Sequence, residues 1–542
     1  MQISAPAERS GGGFAYKWVV ATVVIFGIFM SILDSTIVNV AIPRLQSAFG
    51  SDLNSVQWVL TAYTLAQGVA TPLTAFLSNR LGIKRFYLLS LICFTAGSAL
   101  CGLAWSLPSL IVFRIMQGAS GAFLTPVAIT LLYREFPPEE RGTAMGFLGI
   151  PILLAPAFGP TLGGYIVTYA SWQLIFYINL PIGIIGVLMG FFFLKQSLDE
   201  HRVSFDLPGF LLSAFGLGTL LYGLSDASTD GWSSVKVLGF LLIGFLLLIA
   251  FVWVELDLIR REKQPLLDLR VFSNFLFSIS NAASVLVTFA LYGGLFLVPV
   301  YLQSLRGLSA YQSGLTLLPQ AFASMAAVLI GGRLVDKLGV RAVVVPGLVI
   351  LGIALWLLSS LNLYIPYTNF QFILILRGFG IGLCMQPLMV SSLAEISPRR
   401  LSEASAVNTT LRFVMSSLAV AVIATLVQSQ TKLHYAHLAE RVTASSPMGH
   451  LVSIIQAGLM GKGYPVNSAY AIALKQVGGL LQRQSYMLAM QDAFWVSTIL
   501  TVVAIVASLF VTSRKKKVDE TQMTAEEREE LQKAREEAMI GG

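Results

Sequence analysis

The chain has 542 residues, 55% hydrophobic and only 12% charged, with a mean hydropathy of +0.74 and a formal charge of +8. A single soluble core stops growing well before this length, so the composition excludes an ordinary water-soluble enzyme and makes membrane spans the first thing to look for. Four histidines and three cysteines (Cys93, Cys101 and Cys384) show neither metal-ligand spacing nor a CxxC pair, so no disulfide framework, metal or other cofactor is expected.

Apolar runs bounded by charge clusters and Pro/Gly turns predict fourteen spans, at 17–43, 55–78, 84–105, 109–133, 142–168, 172–195, 207–226, 236–258, 275–302, 313–334, 340–361, 369–393, 404–428 and 488–512. The first run is too long for a signal peptide and lacks a small-residue cleavage site, so it is expected to stay as an anchor. Basic residues crowd one set of flanks and loops, among them Arg80, Lys84, Arg85, Arg134, Arg141, Arg260, Arg261, Lys337, Arg399, Arg400 and the run Arg514 to Lys517. The six short loops on the other side hold only Arg44, Lys236 and Arg306. This bias places both termini in the cytoplasm and accounts for the positive charge without nucleic acid. The one long outer segment, 429–487, contains AYAIALKQVGGLLQRQSYMLAMQ, an amphipathic stretch expected at the outer surface or against a partner. The tail, 513–542, mixes charges at i,i+4 spacing and is expected to be a cytoplasmic helix or a frayed end.

An internal repeat is visible. AFLSNRLGIKR (75–85) aligns with GGRLVDKLGVR (331–341), so that Leu77, Arg80, Gly82 and Lys84 meet Leu334, Lys337, Gly339 and Arg341, and Pro43 meets Pro299 at nearly the same register. Two six-span halves, 17–195 and 272–512, therefore flank two extra spans in 205–258. Duplication alone does not show transport.

Several stretches resemble a known family. LSNRLGIKR (77–85) resembles the loop signature of the major facilitator superfamily, FRIMQGASGAFLTP (113–126) its arginine-containing motif, and GIPILLAPAFGPTLGG (149–164) the Gly-Pro antiporter motif of exporters. LDSTIVNVAIP (33–43) and WQLIFYINLPIG (172–183) are similar to the fourteen-helix drug:proton antiporters of the EmrB and QacA type. The resemblance implies an all-α membrane protein with the major facilitator fold, two six-helix bundles plus two additional central helices. It implies proton-coupled efflux of small hydrophobic, mainly cationic compounds by alternating access, with a role in multidrug and antibiotic resistance. The expected location is the bacterial inner membrane, as a multi-pass protein in the lipid bilayer. A periplasmic adaptor and an outer-membrane channel serve some relatives and are neither required nor excluded here. The loop motif would comprise Asn79, Arg80, Gly82, Lys84 and Arg85 with Asp336, Gly339 and Arg341 in the second copy. It usually carries an acid where this chain has Asn79, and an amide cannot form an ion pair.

Among the acidic residues, Asp34 alone sits well inside a predicted span. Burial makes its charged form costly, so uptake and release of a proton both come within reach, and a deprotonated carboxylate can attract a cationic amphiphile; the structural alternative is a hydrogen-bonded Asp beside Asn39. Arg114 either stabilises the charge of a nearby carboxylate or snorkels to the interface. Arg377 and Arg412 are further intramembrane charges that either function or anchor helices. Gly159, Pro160, Gly163 and Gly164 offer a small, kinkable face for sealing one side of a cavity, or a plain structural kink. Tyr63, Gln67, Gln117, Asn179, Tyr292 and Gln386 are candidate cavity-lining groups. No phosphate loop, nucleophile elbow or HExxH motif occurs, so the protein is not expected to be an enzyme and energy should come from an ion gradient. A dedicated exporter of a lipid, peptide or natural product, a proton-coupled symporter, and an interaction subunit acting through 429–487 are the competing readings.

Overall fold

The computed structural model describes residues 16–51, 53–196, 205–261, 263, 265–397, 400–443 and 445–511. The tail expected at 513–542 lies outside them, as do Arg202 and Arg399. The described residues form helices α1 (Tyr16–Phe49), α2 (Leu53–Ala70), α3 (Leu73–Leu81), α4 (Ile83–Gly102), α5 (Leu107–Gly121), α6 (Leu124–Glu135), α7 (Arg141–Tyr169), α8 (Leu174–Tyr177) and α9 (Asn179–Phe193). After these come α10 (Leu207–Asp230), α11 (Val235–Arg260), α12 (Phe275–Val300), α13 (Ala310–Leu338), α14 (Val340–Leu358), α15 (Tyr367–Leu393), α16 (Leu401–Glu440), α17 (Pro447–Met460) and α18 (Val466–Leu509). An all-helical chain is what hydrocarbon demands, because a helix satisfies its backbone donors and acceptors within itself. Local sequence sets the ends. Ser106 with Ser109 and Ser309 with Gln312 form capping boxes at the starts of α5 and α13. Gly82 (φ 79°) and Gly339 (φ 87°), which align in the internal repeat, make the same positive-φ turn, between α3 and α4 and between α13 and α14.

Thirteen segments among the described residues are long and apolar enough to cross a membrane. The predicted span 55–78 is not one of them. It is two helices, α2 and α3, broken at Thr71 and Pro72, where the proline lacks a donor and the Thr71 hydroxyl bonds back to the Gln67 carbonyl at 2.7 Å. Helix α2 also carries Asn54, Gln57, Thr61, Thr64 and Gln67, which dilute its hydropathy. The predicted spans 404–428 and 488–512 are parts of much longer helices, α16 of 40 residues and α18 of 44. At 1.5 Å per residue these run to roughly 60 Å, twice the hydrocarbon thickness, so they project beyond it. The stretch expected as an outer loop is accordingly helical: Val452, Ala473, Val477 and Leu481 form a small apolar core with Tyr435 and Leu438, where α17 packs against the ends of α16 and α18. Here AYAIALKQVGGLLQRQSYMLAMQ buries Ala469, Ala473 and Val477 within this projection as the first half of α18.

The longest seam joins α7 to α13. Small residues run along it from end to end: Gly142 and Gly146 face Gly332 and Val328, and Thr161 and Gly164 face Gly314 and Tyr311. The two helices are thus antiparallel and close along their whole length. On another flank, α10 packs on both α2 and α16, with Leu221 over Gly68, Trp58 stacked on Tyr222 at 5.6 Å, and the Trp232 indole donating to the Thr425 hydroxyl at 2.9 Å. A Cβ added at Gly332 would lie 2.5 Å from the Gly142 carbonyl, whereas one at Gly239 meets nothing within 4 Å. Overpacking a seam of this kind costs about 1–3 kcal/mol. Gly332→Leu is therefore expected to lower the thermal unfolding midpoint in detergent by several degrees and Gly239→Leu to leave it unchanged.

Candidate functional site

A cavity of about 150 Å³ lies at the centre, between α1 and α7 on one side and α12, α13, α15 and α16 on the other. Its polar wall includes Ser31, Ser35 and Gln67 from one side and Tyr292, Gln320 and Ser324 from the other, and the rest is mainly aliphatic. Prolines 151, 156 and 160 remove three donors from α7 and leave the carbonyls of Phe147, Ile152 and Pro156 without their usual helical partners; the last two residues line the cavity.

Asp34 stands one layer behind this wall, inside the bundle of α1, α2, α5 and α9, and both it and Arg114 are 0% exposed. Arg114 Nη1 donates to Asp34 Oδ2 at 2.5 Å, while Asp34 Oδ1 accepts from Gln117 Nε2 at 2.9 Å and from Asn179 Nδ2 at 2.7 Å. Three donors on two oxygens suit an ionised carboxylate, which only accepts. The arginine is itself held by the Val59 carbonyl (3.1 Å) and Gln117 Oε1 (2.8 Å), and its guanidinium lies 3.9 Å over the Tyr63 ring. Its Nη2 has no hydrogen-bond partner among the described residues. Asn179 also bonds Ser98, whose hydroxyl donates to the Phe176 carbonyl at 2.8 Å. Tyr63 carries the network to the cavity: its hydroxyl donates to the Ser31 carbonyl (3.1 Å) and accepts from Gln67 Nε2 (3.1 Å), and Ser31 and Gln67 are both on the wall.

The structure thus brings Asp34, Arg114, Tyr63, Gln67, Gln117 and Asn179 into one network, and Gln67 and Tyr292 onto the cavity. It separates others from it. Asn39 is exposed and, among the described residues, donates only to the Ser35 carbonyl at 3.4 Å. Gln386 is buried against Gly149 of α7, with neither amide atom hydrogen-bonded among the described residues. Gly159 and Gly163 press on Thr36 and Ile37 of α1, Gly164 presses on Tyr311 of α13, and Pro160 follows Gly159 in the same kinkable stretch. Arg377 donates to the carbonyls of Ala290 and Leu291, at 3.3 and 3.1 Å. Arg412 is half-buried, with the Met389 sulfur at 3.9 Å. Sequence reasoning missed Ser31, Ser98, Gln320 and Ser324. The last two, i,i+4 in an apolar span, carry the same spacing as Tyr63 and Gln67 and were readable on that ground.

The two loop copies behave differently. Asp336 caps α7, accepting from the Gly142 and Thr143 backbone N–H groups at 2.9 Å each and from the Thr143 hydroxyl at 2.6 Å, so a carboxylate of one half holds the positive end of a helix of the other. Asn79 occupies the matching place and is half-buried, while Arg80 and Arg341 are exposed. Lys84 donates to the Phe191 carbonyl at 2.9 Å, and Arg85 faces Gln196, whose amide oxygen, turned towards it, accepts at 3.0 and 2.8 Å. In the linker before α12, burial alone would raise the Asp268 carboxyl, but bonds from the Arg270 guanidinium and backbone, with the charge of Arg400, outweigh it and hold the group below the usual carboxylate range. Its contribution to stability is present above the unfolded carboxylate value and is lost as pH falls through the lower folded one.

Removing one partner of a buried pair strands the other and costs about 3–5 kcal/mol, whereas removing both does not. Asp34→Leu and Arg114→Met are each expected to lower the unfolding midpoint sharply, and the double variant to recover most of the loss, as read by thermal unfolding in detergent.

A family model described as Major Facilitator Superfamily matches residues 24–420. The uncharacterized MFS-type transporter YhcA of Bacillus subtilis is 35% identical over 508 residues, covering 92% of this chain and 94% of that one. Multidrug resistance protein 3 of the same organism is 31% identical, covering 74% of this chain and 78% of its own length. Among solved structures, the proton:xylose symporter XylE bound to 6-bromo-6-deoxy-D-glucose superposes with a TM-score of 0.60 at 12% identity, covering 92% of this chain and 96% of that one, a likeness of fold alone. The chain belongs to the major facilitator superfamily: it is a multi-pass membrane transporter of small solutes, and not an enzyme.

Proposed function

We propose that the protein is a proton-coupled exporter of hydrophobic compounds that works by alternating access, with both termini in the cytoplasm. In this reading α2 and α3 together make a fourteenth crossing, and two six-helix repeats flank the α10–α11 pair. The observation that carries it is the buried Asp34–Arg114 pair joined to the cavity wall through Tyr63, Ser31 and Gln67. Protonation of Asp34 removes the negative charge that Arg114 faces. The guanidinium is then left with Gln117, Val59 and the Tyr63 ring, and any shift it makes is felt at the Tyr63 hydroxyl and so at Ser31 and Gln67. A compound bound against those two residues acts on the same chain from its other end. Proton and substrate are coupled without Asp34 touching the substrate. A direct counter-charge for cationic compounds would require Asp34 on the cavity wall, where it does not lie.

Drug-sized ligand sites are roughly 300–1,000 Å³. A cavity of about 150 Å³, with α7 and α13 closed at both ends, corresponds to an occluded state that must widen to admit substrate. The Asp336 cap on α7 would be the latch at the cytoplasmic end and the Gly164–Tyr311 contact the seal at the other. Export is favoured over symport by the glycine-rich α7, which resembles the exporter motif, and by the relatives named for multidrug resistance.

In everted vesicles with an imposed pH gradient, Asp34→Asn is expected to reduce gradient-driven dye movement to background; full retention would exclude the assigned role. Tyr63→Phe, which deletes only the link to Ser31 and Gln67, is expected to leave dye binding within about twofold while lowering the coupled rate about tenfold, the loss of roughly one hydrogen bond's worth of coupling. Asp336→Asn should speed opening at the cytoplasmic end, read as faster labelling of a cysteine placed at Thr143.

A further inference from the structure

Among the described residues, those that line the central cavity include no Asp, Glu, Lys, Arg or His. The side chains that break its aliphatic and aromatic surface are hydroxyls and amides, and Asp34 stays behind the wall, already paired with Arg114. An ion moved from water into such a site loses its hydration and gains no counter-charge, whereas an uncharged polar group needs only a hydrogen bond. Several polar side chains of the wall are already committed. Gln67 donates to the Tyr63 hydroxyl, Ser35 to the Ile32 carbonyl, and Ser324 to the carbonyls of Gln320 and Gly378. Gln320 is different. It lines the cavity at 8% exposure, and its Oε1 has no hydrogen-bond partner among the described residues. The repeat accounts for the contrast. The register that aligns Leu77 with Leu334 and Gly82 with Gly339 also sets Gln320 against Tyr63 and Ser324 against Gln67. In the first copy that place belongs to the network of the buried ion pair; in the second, its amide is left on the cavity wall with an open acceptor.

We propose that the cavity takes its substrates in uncharged form, as apolar bodies carrying an N–H or O–H group, and that Gln320 fixes their orientation by accepting from that group. This rests on the cavity being the substrate site of the exporter proposed above. The apolar body lies against Leu295, Leu317 and Phe413, and the carbonyls that the α7 prolines leave open at Ile152 and Pro156 offer further acceptors without offering a charge. A permanent cation is disfavoured for want of an acid on the wall, and an organic anion for want of a base. The choice has an electrical consequence. One proton entering for one neutral solute leaving moves one positive charge inward, so the exchange generates current, whereas the same exchange with a monovalent cation moves no net charge.

The test uses the full chain in nanodiscs, with empty discs subtracted, and three probes: N-phenyl-1-naphthylamine, its N-methyl derivative, which lacks the donor, and the permanent cation ethidium. The wild type is expected to bind the first about tenfold or more tightly than ethidium. Q320L is expected to weaken the first by about fivefold to tenfold and not to weaken the N-methyl derivative. Ethidium bound as tightly as the neutral donor, or Q320L weakening both neutral probes equally or neither of them, overturns the proposal. Should Q320L not fold, wild-type proteoliposomes on a charge-sensing support give a second reading. At a fixed pH gradient, N-phenyl-1-naphthylamine is expected to evoke a protein-dependent current and ethidium none; a current with ethidium overturns the proposal, whatever the neutral probe does. Selective binding of the donor probe with no gradient-driven current from any probe upholds the selectivity of the cavity and counts instead against proton-coupled export.

Discussion

A carboxylate and a guanidinium held 2.5 Å apart inside an apolar bundle form the constraint around which the first half of the molecule is arranged. Neither charge tolerates such a place alone, and the helices that carry them, α1 and α5, are bound into one unit with α2 and α9 by the amides and carbonyls that complete the pair's coordination. Gln117 serves both ions at once, accepting from Arg114 and donating to Asp34. Asn179 reaches in from the start of α9, and Ser98 ties it to the Phe176 carbonyl. The incomplete members are informative too: among the described residues Arg114 Nη2 and Asn179 Oδ1 lack partners, so the network has spare donors and acceptors with which to rearrange.

The aligned copies in the sequence treat a buried arginine in different ways. Pro43 and Pro299 fix the register between α1 and α12, and by it Asp34 corresponds to Ala290, each standing nine residues before its proline. Arg377, the counterpart of Arg114, donates to the Ala290 carbonyl itself. Where the first half meets its arginine with a side-chain acid, the second meets it with backbone, which cannot take up a proton at neutral pH. The loops show the reverse asymmetry. The second copy keeps its acid, Asp336, on the end of α7, and the first has Asn79. The buried acid paired with an arginine is thus in the first copy, and the loop carboxylate that caps a helix is in the second.

Much of this was legible because lipid imposes simple rules. A run of twenty apolar residues, a lone aspartate within it, and lysines gathered on alternate loops need no tertiary information to interpret. The meeting of Asp34 with Arg114, Gln117 and Asn179 was not legible in that way. Those residues come from two other parts of the chain, α5 and the start of α9, and nothing in the sequence says which face of each helix points where. The stretch 55–78 reads as one span, and the break at Thr71 and Pro72 was not legible, because a mean over apolar residues does not register a single missing donor. The amphipathic character of 469–491 was legible, but the packing of segment 429–487 was not. Its helices pack on one another through Val452, Ala473 and Val477, a core too small to announce itself among so many longer apolar runs.

The α10–α11 hairpin makes the two flanks of the molecule unlike. α10 touches α2 and α16 together, and just beyond its end the Trp232 indole is fastened to Thr425. The α7–α13 seam is closed instead by contacts of its own glycines with the facing backbone. One junction is thus covered by an added helix pair and the other sealed by small residues alone, which gives the molecule a front and a back.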